Sequence, residues 1–244
     1  MEPKRRARGE KVYRGAYKYL KGENLYAEEE FEVFKDRKEL GMTFFAEFHS
    51  RVATGELLTV YVDFTLTKDY IPQKLLIEKS LGKELVKEVF DFNPRNNVVD
   101  YLFMSKKGQE HLEIQVPPKF AITTPTASTS MLFLKTKKED TTARNFYQVL
   151  STTNQWKFEK APFQQTIVGE RTALASESIQ IDGQSVQATP YKIYDAKDLE
   201  ENDDTGSAAF STVQLSKHST IPYVVRSADN LKIQIKYLND LDKD

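Results

Sequence analysis

Short segments in which apolar and polar residues alternate limit this chain more than any other feature. In LLTVYVDFTL, 57–66, Leu58, Val60, Val62, Phe64 and Leu66 fall on one face, and Thr59, Tyr61, Asp63 and Thr65 on the other. In MTFFAEFHSR, 42–51, Met42, Phe44, Ala46 and Phe48 oppose Thr43, Phe45, Glu47, His49 and Arg51. Near the end, Leu231, Ile233, Ile235 and Tyr237 alternate with Lys232, Gln234 and Lys236. A period of two is the period of a strand, and strands with one apolar face build antiparallel sheets that are buried on one side and wetted on the other.

Turn signals such as KGEN at 21–24, ATGE at 53–56, SLGK at 80–83 and IDGQ at 181–184 separate these runs. The spacing predicts strands near 11–20, 25–35, 42–52, 57–67, 73–79, 85–92, 98–104 and 111–116, then near 156–168, 173–181, 185–194, 208–215 and 222–236. Between the two sets the texture changes. PPKFAITTPTASTS, 117–130, is rich in Pro, Thr and Ser and runs into apolar Met131-Leu132-Phe133-Leu134. In TTARNFYQVL, 141–150, hydroxyls precede Phe146, Val149 and Leu150 at helical spacing, which predicts a short helix. The stretch 195–207, DAKDLEENDDTGS, reads as an acidic loop.

One corner is written twice. LTKDYIP, 66–72, and LSKHSTIP, 215–222, both run from an apolar strand through Leu, a hydroxyl residue and Lys to Ile-Pro and a second apolar strand. Pro at the first residue of a return strand sits where its missing N–H does no harm. The repeat suggests one domain over 11–236 with two similar halves, 11–116 and 156–236, bridged by 117–155. Residues 1–10 then form a flexible basic tail and 237–244 a C-terminal tail.

The chain has 244 residues, enough to bury roughly 70–75% of its unfolded surface without staples. It has no cysteine, which excludes disulfides, thiolate metal sites and a cysteine nucleophile. With 35 basic against 36 acidic residues it lacks the basic excess of a nucleic-acid binder, and Lys4-Arg5-Arg6-Ala7-Arg8 reads as a solvated tail. No run approaches the ~20 apolar residues of a membrane helix, so no membrane span is expected, although peripheral contact is compatible with the chain. No leader is visible. A chain trimmed of one would begin in the same way.

Catalytic signals are sparse. His49 shares a strand face with Glu47 and Arg51, and Asp63 is expected on the neighbouring strand. That set suits a general base oriented by a carboxylate, and equally an exposed face of complementary charges. His218 sits in the second corner, and His111 begins a strand with no evident carboxylate partner beyond its neighbours. Ser128, Thr129 and Ser130 lack the Gly-x-Ser-x-Gly elbow. Asp195, Asp198, Glu200, Glu201, Asp203 and Asp204 lack the spacing and central Gly of a calcium loop. No catalytic residue, metal site or cofactor is assigned. Trp156, just after the expected helix and beside Phe158 and Phe163, is expected to anchor that helix onto the sheet or to line a groove mouth.

The order of features resembles a family of bacterial envelope proteins. VYRGAYKYL leads over a Gly turn into EEEFEVF. The EFHSRVATG strand and the YVDFTLTKDYIPQKLLIEK hairpin follow, then VVDYLF, a Pro-rich link into STSMLFLK, IQIDGQSVQATPYKIYDA and VQLSKHSTIPYVVR. Together these are similar to the DUF3108-type proteins, whose half-barrel is akin to that of the LolA and LppX lipoprotein and lipid carriers. Lys135 stands in MLFLKTKK where the family often carries Arg.

The resemblance implies an all-β, mainly antiparallel and strongly curved sheet, a half-barrel whose concave face is closed by one or two short helices. It implies a groove for an apolar ligand such as an acyl chain or a lipid-modified protein. It also implies the periplasm or cell envelope if a leader has been removed, and otherwise the cytoplasm. The candidate walls are Phe44, Phe48, Val60, Val62, Phe64, Phe90, Phe103, Met131 and Phe133. Alternation alone fits a closed core equally well. Two other readings stand beside the non-enzymatic binder: a protein-interaction module using a sheet edge or the polar face, and a hydrolase centred on His49.

Overall fold

A computed structural model of the chain describes residues 9–200, 210–216, 220–227 and 229–241. His218, most of the acidic loop and the basic block at 4–8 lie outside the described residues.

The alternating segments become strands of one sheet. The first half is an unbroken antiparallel meander of β1 (Glu10–Lys21), β2 (Asn24–Lys35), β3 (Met42–Arg51), β4 (Leu57–Leu66), β5 (Pro72–Leu81), β6 (Glu84–Asn93), β7 (Val98–Ser105) and β8 (Gly108–Gln115). The chain then crosses to β9 (Ala121–Ile122), which pairs in parallel with β10 (Arg144–Ser151). From there β11 (Phe163–Arg171), β13 (Gln184–Asp195), β14 (Ser211–Ser216), β15 (Pro222–Arg226) and β16 (Leu231–Asp240) walk back until β16 pairs with β1. β12 (Glu177–Ile181) pairs with β13 off this path. The sheet is curved and unclosed, with β8 and β9 at its two ends.

Period two explains the burial. Along β4, Val60, Val62, Phe64 and Leu66 are buried while Tyr61, Asp63 and Thr65 are half-buried on the other face. Tight turns link the early strands, and Gly82 between β5 and β6 takes φ 57°, a left-handed conformation that glycine adopts without steric cost. Where β1 runs between β2 and β16, with Gly15 opposite Phe31, a Cβ on Gly15 would stand 2.4 Å from the Phe31 ring and 2.9 Å from the Tyr237 carbonyl, so only glycine fits.

The described residues of the repeated corner close in the same way in both copies. In each copy the Leu pairs with the Pro (Leu66 with Pro72, Leu215 with Pro222) next to a register shift. The hydroxyl residue's N–H donates to the Ile carbonyl, Thr67 to Ile71 at 2.9 Å and Ser216 to Ile221 at 3.1 Å. Strand direction alternates through β4-β3-β2-β1-β16-β15-β14, so both corners stand at one end of the sheet. There, Lys68 and Tyr70 of the first and Thr220 and Ile221 of the second border a shared cavity of about 280 Å³.

Two local expectations are corrected. TTARNFYQVL is not a helix: β10 pairs with β11 along its whole length, and Asn145, Tyr147 and Val149 are buried while Arg144, Phe146 and Gln148 are exposed. The turn before it is made by Asp140, which accepts hydrogen bonds from the Thr142 N–H at 3.0 Å and hydroxyl at 2.8 Å. Sheet pairing overrides a weak helical preference. The run 222–236 is two strands, β15 and β16, joined by a turn in which the Ser227 N–H reaches the Leu231 carbonyl. β16 continues through Asp240, beyond the 236 at which alternation fades. The described helices are α1 (Ala127–Ser130), followed by a 3-10 turn over Leu132–Lys135, and α2 (Lys197–Glu200).

Candidate functional site

The inward side chains form two clusters. The larger lies on the first half of the sheet and contains Phe44, Val60, Val62, Phe64, Phe90 and Phe103, with Phe48 half-buried at its margin against Tyr19. Met131 and Phe133 belong to the second cluster, with Leu134, Tyr147, Val149, Tyr191, Ile193 and Val213. The proposed wall residues are therefore divided between two packed groups. Segment 116–136 lies between them: Phe120, Ala127 and Leu132 join the first cluster, Met131, Phe133 and Leu134 the second. Phe44, Phe64, Phe90 and Phe103 are at most 2% exposed. Trp156 packs on the first cluster, and Phe158 meets Phe103 with ring centroids 6.0 Å apart.

This segment is held by inward-facing polar groups as well as by apolar contact. Glu29 on β2 is fully buried. One of its oxygens accepts the Ser128 N–H at 3.0 Å; the other accepts the Ala127 N–H at 2.7 Å and the Tyr19 hydroxyl. Burial pushes the Glu29 carboxyl above its ordinary range, and the surrounding donors offset only part of this. The Tyr19 hydroxyl is raised well above its own range by burial and by the neighbouring Glu29.

A second set lies on β5–β7. Lys79 donates to Glu88 at 3.1 Å and to the Asn154 carbonyl at 2.9 Å, and the Tyr101 hydroxyl donates to the other Glu88 oxygen at 2.8 Å. Asn154 closes the network, donating to the Tyr101 oxygen at 3.1 Å and to the Lys160 carbonyl at 2.9 Å while accepting the Glu159 N–H. A carboxylate and an ammonium thus pin the loop after β10 against the concave face. Alternation carries a sign of these groups: Glu29 has the parity of Ala27, Phe31 and Val33, Lys79 that of Leu75 and Ile77, and Glu88 that of Val86 and Phe90.

The His49 set does not assemble into a triad. His49 is on the outer face, its Nδ1 3.2 Å from the Thr59 hydroxyl and its Nε2 3.5 Å from Glu47. Asp63 lies opposite Phe45, four residues along β3 from His49 and so about 13 Å away. His111 does have a carboxylate partner, Asp100 on β7, at an exposed position that the register brings within reach.

A cavity of about 930 Å³ lies at the rim where the outer face of β3 and β4 meets the turns at 36–41, 67–71 and 94–97. Phe45, Ile71, Phe92 and Pro118 give it an apolar wall. Its charged lining is Asp36, Glu39, Asp63, Asp69 and Asp91 against Lys68 and Lys74, an excess of carboxylates even with Lys74 and Asp91 paired at 3.3 Å. Among the described residues no three His, Asp or Glu side chains are grouped to hold a metal ion, and no helix is long and apolar enough to cross a membrane.

No family model and no curated protein matches the chain. It is similar to a solved β-barrel-like protein of a domain of unknown function, DUF1849, from Brucella abortus. The TM-score is 0.59 at 10% identity, over 97% of this chain and all of that one. A DUF1089 family protein from Pseudomonas aeruginosa gives a TM-score of 0.46 at 9% identity, over 79% of this chain and 87% of that one. The first likeness establishes a barrel-like fold shared along the chain.

Proposed function

We propose that this protein is a non-enzymatic carrier or binding protein for an amphipathic ligand, an acyl chain on a neutral or cationic head, seated in the rim cavity. The observation that carries the reading is the cavity itself: about 930 Å³, within the range of small-molecule sites, with an aromatic and aliphatic wall and a rim rich in carboxylates. Each CH₂ covered there gains ~0.8 kcal/mol, so about ten covered CH₂ groups match the roughly 8 kcal/mol of micromolar affinity before the cost of association is subtracted. The excess of carboxylates disfavours a free fatty acid.

The resemblance of the sequence to DUF3108-type and LolA/LppX carriers supports a lipid or lipid-modified protein as the ligand class, and the periplasm or cell envelope as the location. Phe44, Phe64, Phe90 and Phe103 then serve the cavity from behind, holding the sheet that shapes it, while Phe44 itself borders the smaller cavity between the two corners.

Native mass spectrometry of the purified protein, with organic extraction, tests the reading. The expected result is a co-purified or added lipid that is lost in Thr65→Trp, which fills the cavity from the outer face, and retained in a Gln148→Trp control on β10. An apo mass unchanged by zwitterionic, cationic and anionic lipids would overturn it.

A further inference from the structure

The two ends of the sheet differ. β9 is two residues long, whereas β8 is a regular strand of eight, paired with β7 without a register shift; among the described residues no strand pairs with its other side, where the Gln164 side chain donates to the Gln115 carbonyl at 2.7 Å. Exposed edges are ordinarily guarded by lysine, proline or a bulge. β8, GQEHLEIQ, has no lysine, proline or bulge and carries its charge on Glu110, His111 and Glu113, and every residue in it is exposed or half-buried.

Its charges are unbalanced in a specific way. Glu113 stands directly opposite Asp100, a like-charge pair on the outer face, and His111 pairs with Asp100. Like charges directly opposed across strands are destabilising.

We propose that two copies of this chain associate through β8, antiparallel and centred on Leu112, extending the sheet across a two-fold axis. Such an axis keeps the outer faces together, so only residues of like parity can oppose each other. Centring on His111 sets imidazole against imidazole, and centring on Glu113 sets carboxylate against carboxylate. Centring on Leu112 places His111 of each copy opposite Glu113 of the other, Gln109 opposite Gln115, and Leu112 opposite itself. The incoming His111 then offsets the Glu113–Asp100 repulsion at two equivalent places, and the edge backbone groups over 109–115 find partners, the Gln115 carbonyl exchanging Gln164 for the other copy.

Sedimentation velocity of the full chain over a range of concentrations is the test. The expected result is a reversible dimer whose dissociation constant rises about tenfold or more in His111→Glu, where two favourable cross-strand pairs become repulsive, and recovers when Glu113→Lys is added. Because the chain lacks cysteine, Leu112→Cys offers a second readout: mild oxidation yields a covalent dimer, while Gln148→Cys remains monomeric. A monomer at every concentration, a dimer indifferent to His111→Glu, or crosslinking no faster than in the Gln148→Cys control would overturn the proposal.

Discussion

The Lys79–Glu88 pair makes a sharp energetic prediction, because its two members are worth far more together than apart. Glu88 is fully buried and the Lys79 side chain 10% exposed, with the ammonium shared between Glu88 and the Asn154 carbonyl. Removing one partner strands a buried charge, so Glu88→Leu or Lys79→Met alone is expected to cost about 3–5 kcal/mol. Additivity would then give about 6–10 kcal/mol for the double variant. In Lys79→Met/Glu88→Leu, however, no charge is left unpaired. What remains is the Tyr101 hydroxyl, which still accepts from Asn154, and the Asn154 carbonyl, which loses one donor. At about 1 kcal/mol each, these bring the double variant to no more than about 2 kcal/mol below wild type. Urea titration followed by circular dichroism measures the global stability. The single Trp156, two residues from Asn154, reports the loop. At about 2–4 °C per kcal/mol for a chain of this size, the singles should melt roughly 6–20 °C lower. Singles within 1 kcal/mol of wild type, or a double variant as unstable as the sum, would refute the reasoning.

Glu29→Gln is expected to destabilise by about 1–3 kcal/mol, because an amide cannot accept from all of Ala127 N–H, Ser128 N–H and the Tyr19 hydroxyl. Its pH dependence has a fixed sign. The folded state holds the Glu29 proton more tightly than the unfolded chain does, so the group's contribution is greatest in acid. It declines as pH rises through the ordinary carboxylate range to the raised folded value. Denaturation at pH 4 to 7 should therefore show the wild-type advantage over Glu29→Gln shrinking with pH; a growing advantage would reverse the assignment. Gly15→Ala should lower stability by about 1–3 kcal/mol, seen as a lower urea midpoint, since its Cβ overlaps Phe31 and the Tyr237 carbonyl. His49→Ala, on the outer face, should change stability by no more than about 0.5 kcal/mol in the same titration.

The first eight strands were legible because each has one apolar and one polar face and a short turn at either end. The corners were legible because Leu, a hydroxyl, Lys and Ile-Pro specify the same closure twice. The second half was harder to read for physical reasons. β10 exposes Phe146 and buries Asn145, which inverts the pattern on which periodicity depends. β15 and β16 are separated by a turn at 227–230 that contains no glycine or proline. The carboxylate-rich cavity could not be seen at all, since its wall joins Phe45, Ile71, Phe92 and Pro118 from four distant segments.

The buried charges were half visible. Parity places Glu29, Lys79 and Glu88 inside, and a charge written onto the apolar face of a strand has to find a partner there. Glu88 finds Lys79 and Tyr101 on neighbouring strands, while Glu29 meets Tyr19 and the Ala127 and Ser128 N–H groups, and Lys79 meets the Asn154 carbonyl, these last three from 117–160. This ties the odd texture of the bridge to the fold. The donors presented by Ala127 and Ser128, and the Asn154 carbonyl that accepts from Lys79, fix where the bridge sits, which greasy contact alone does not. A bridge held in this way is part of the core, and among the described residues the rim cavity and the edge of β8 are surfaces on which the molecule can meet something else.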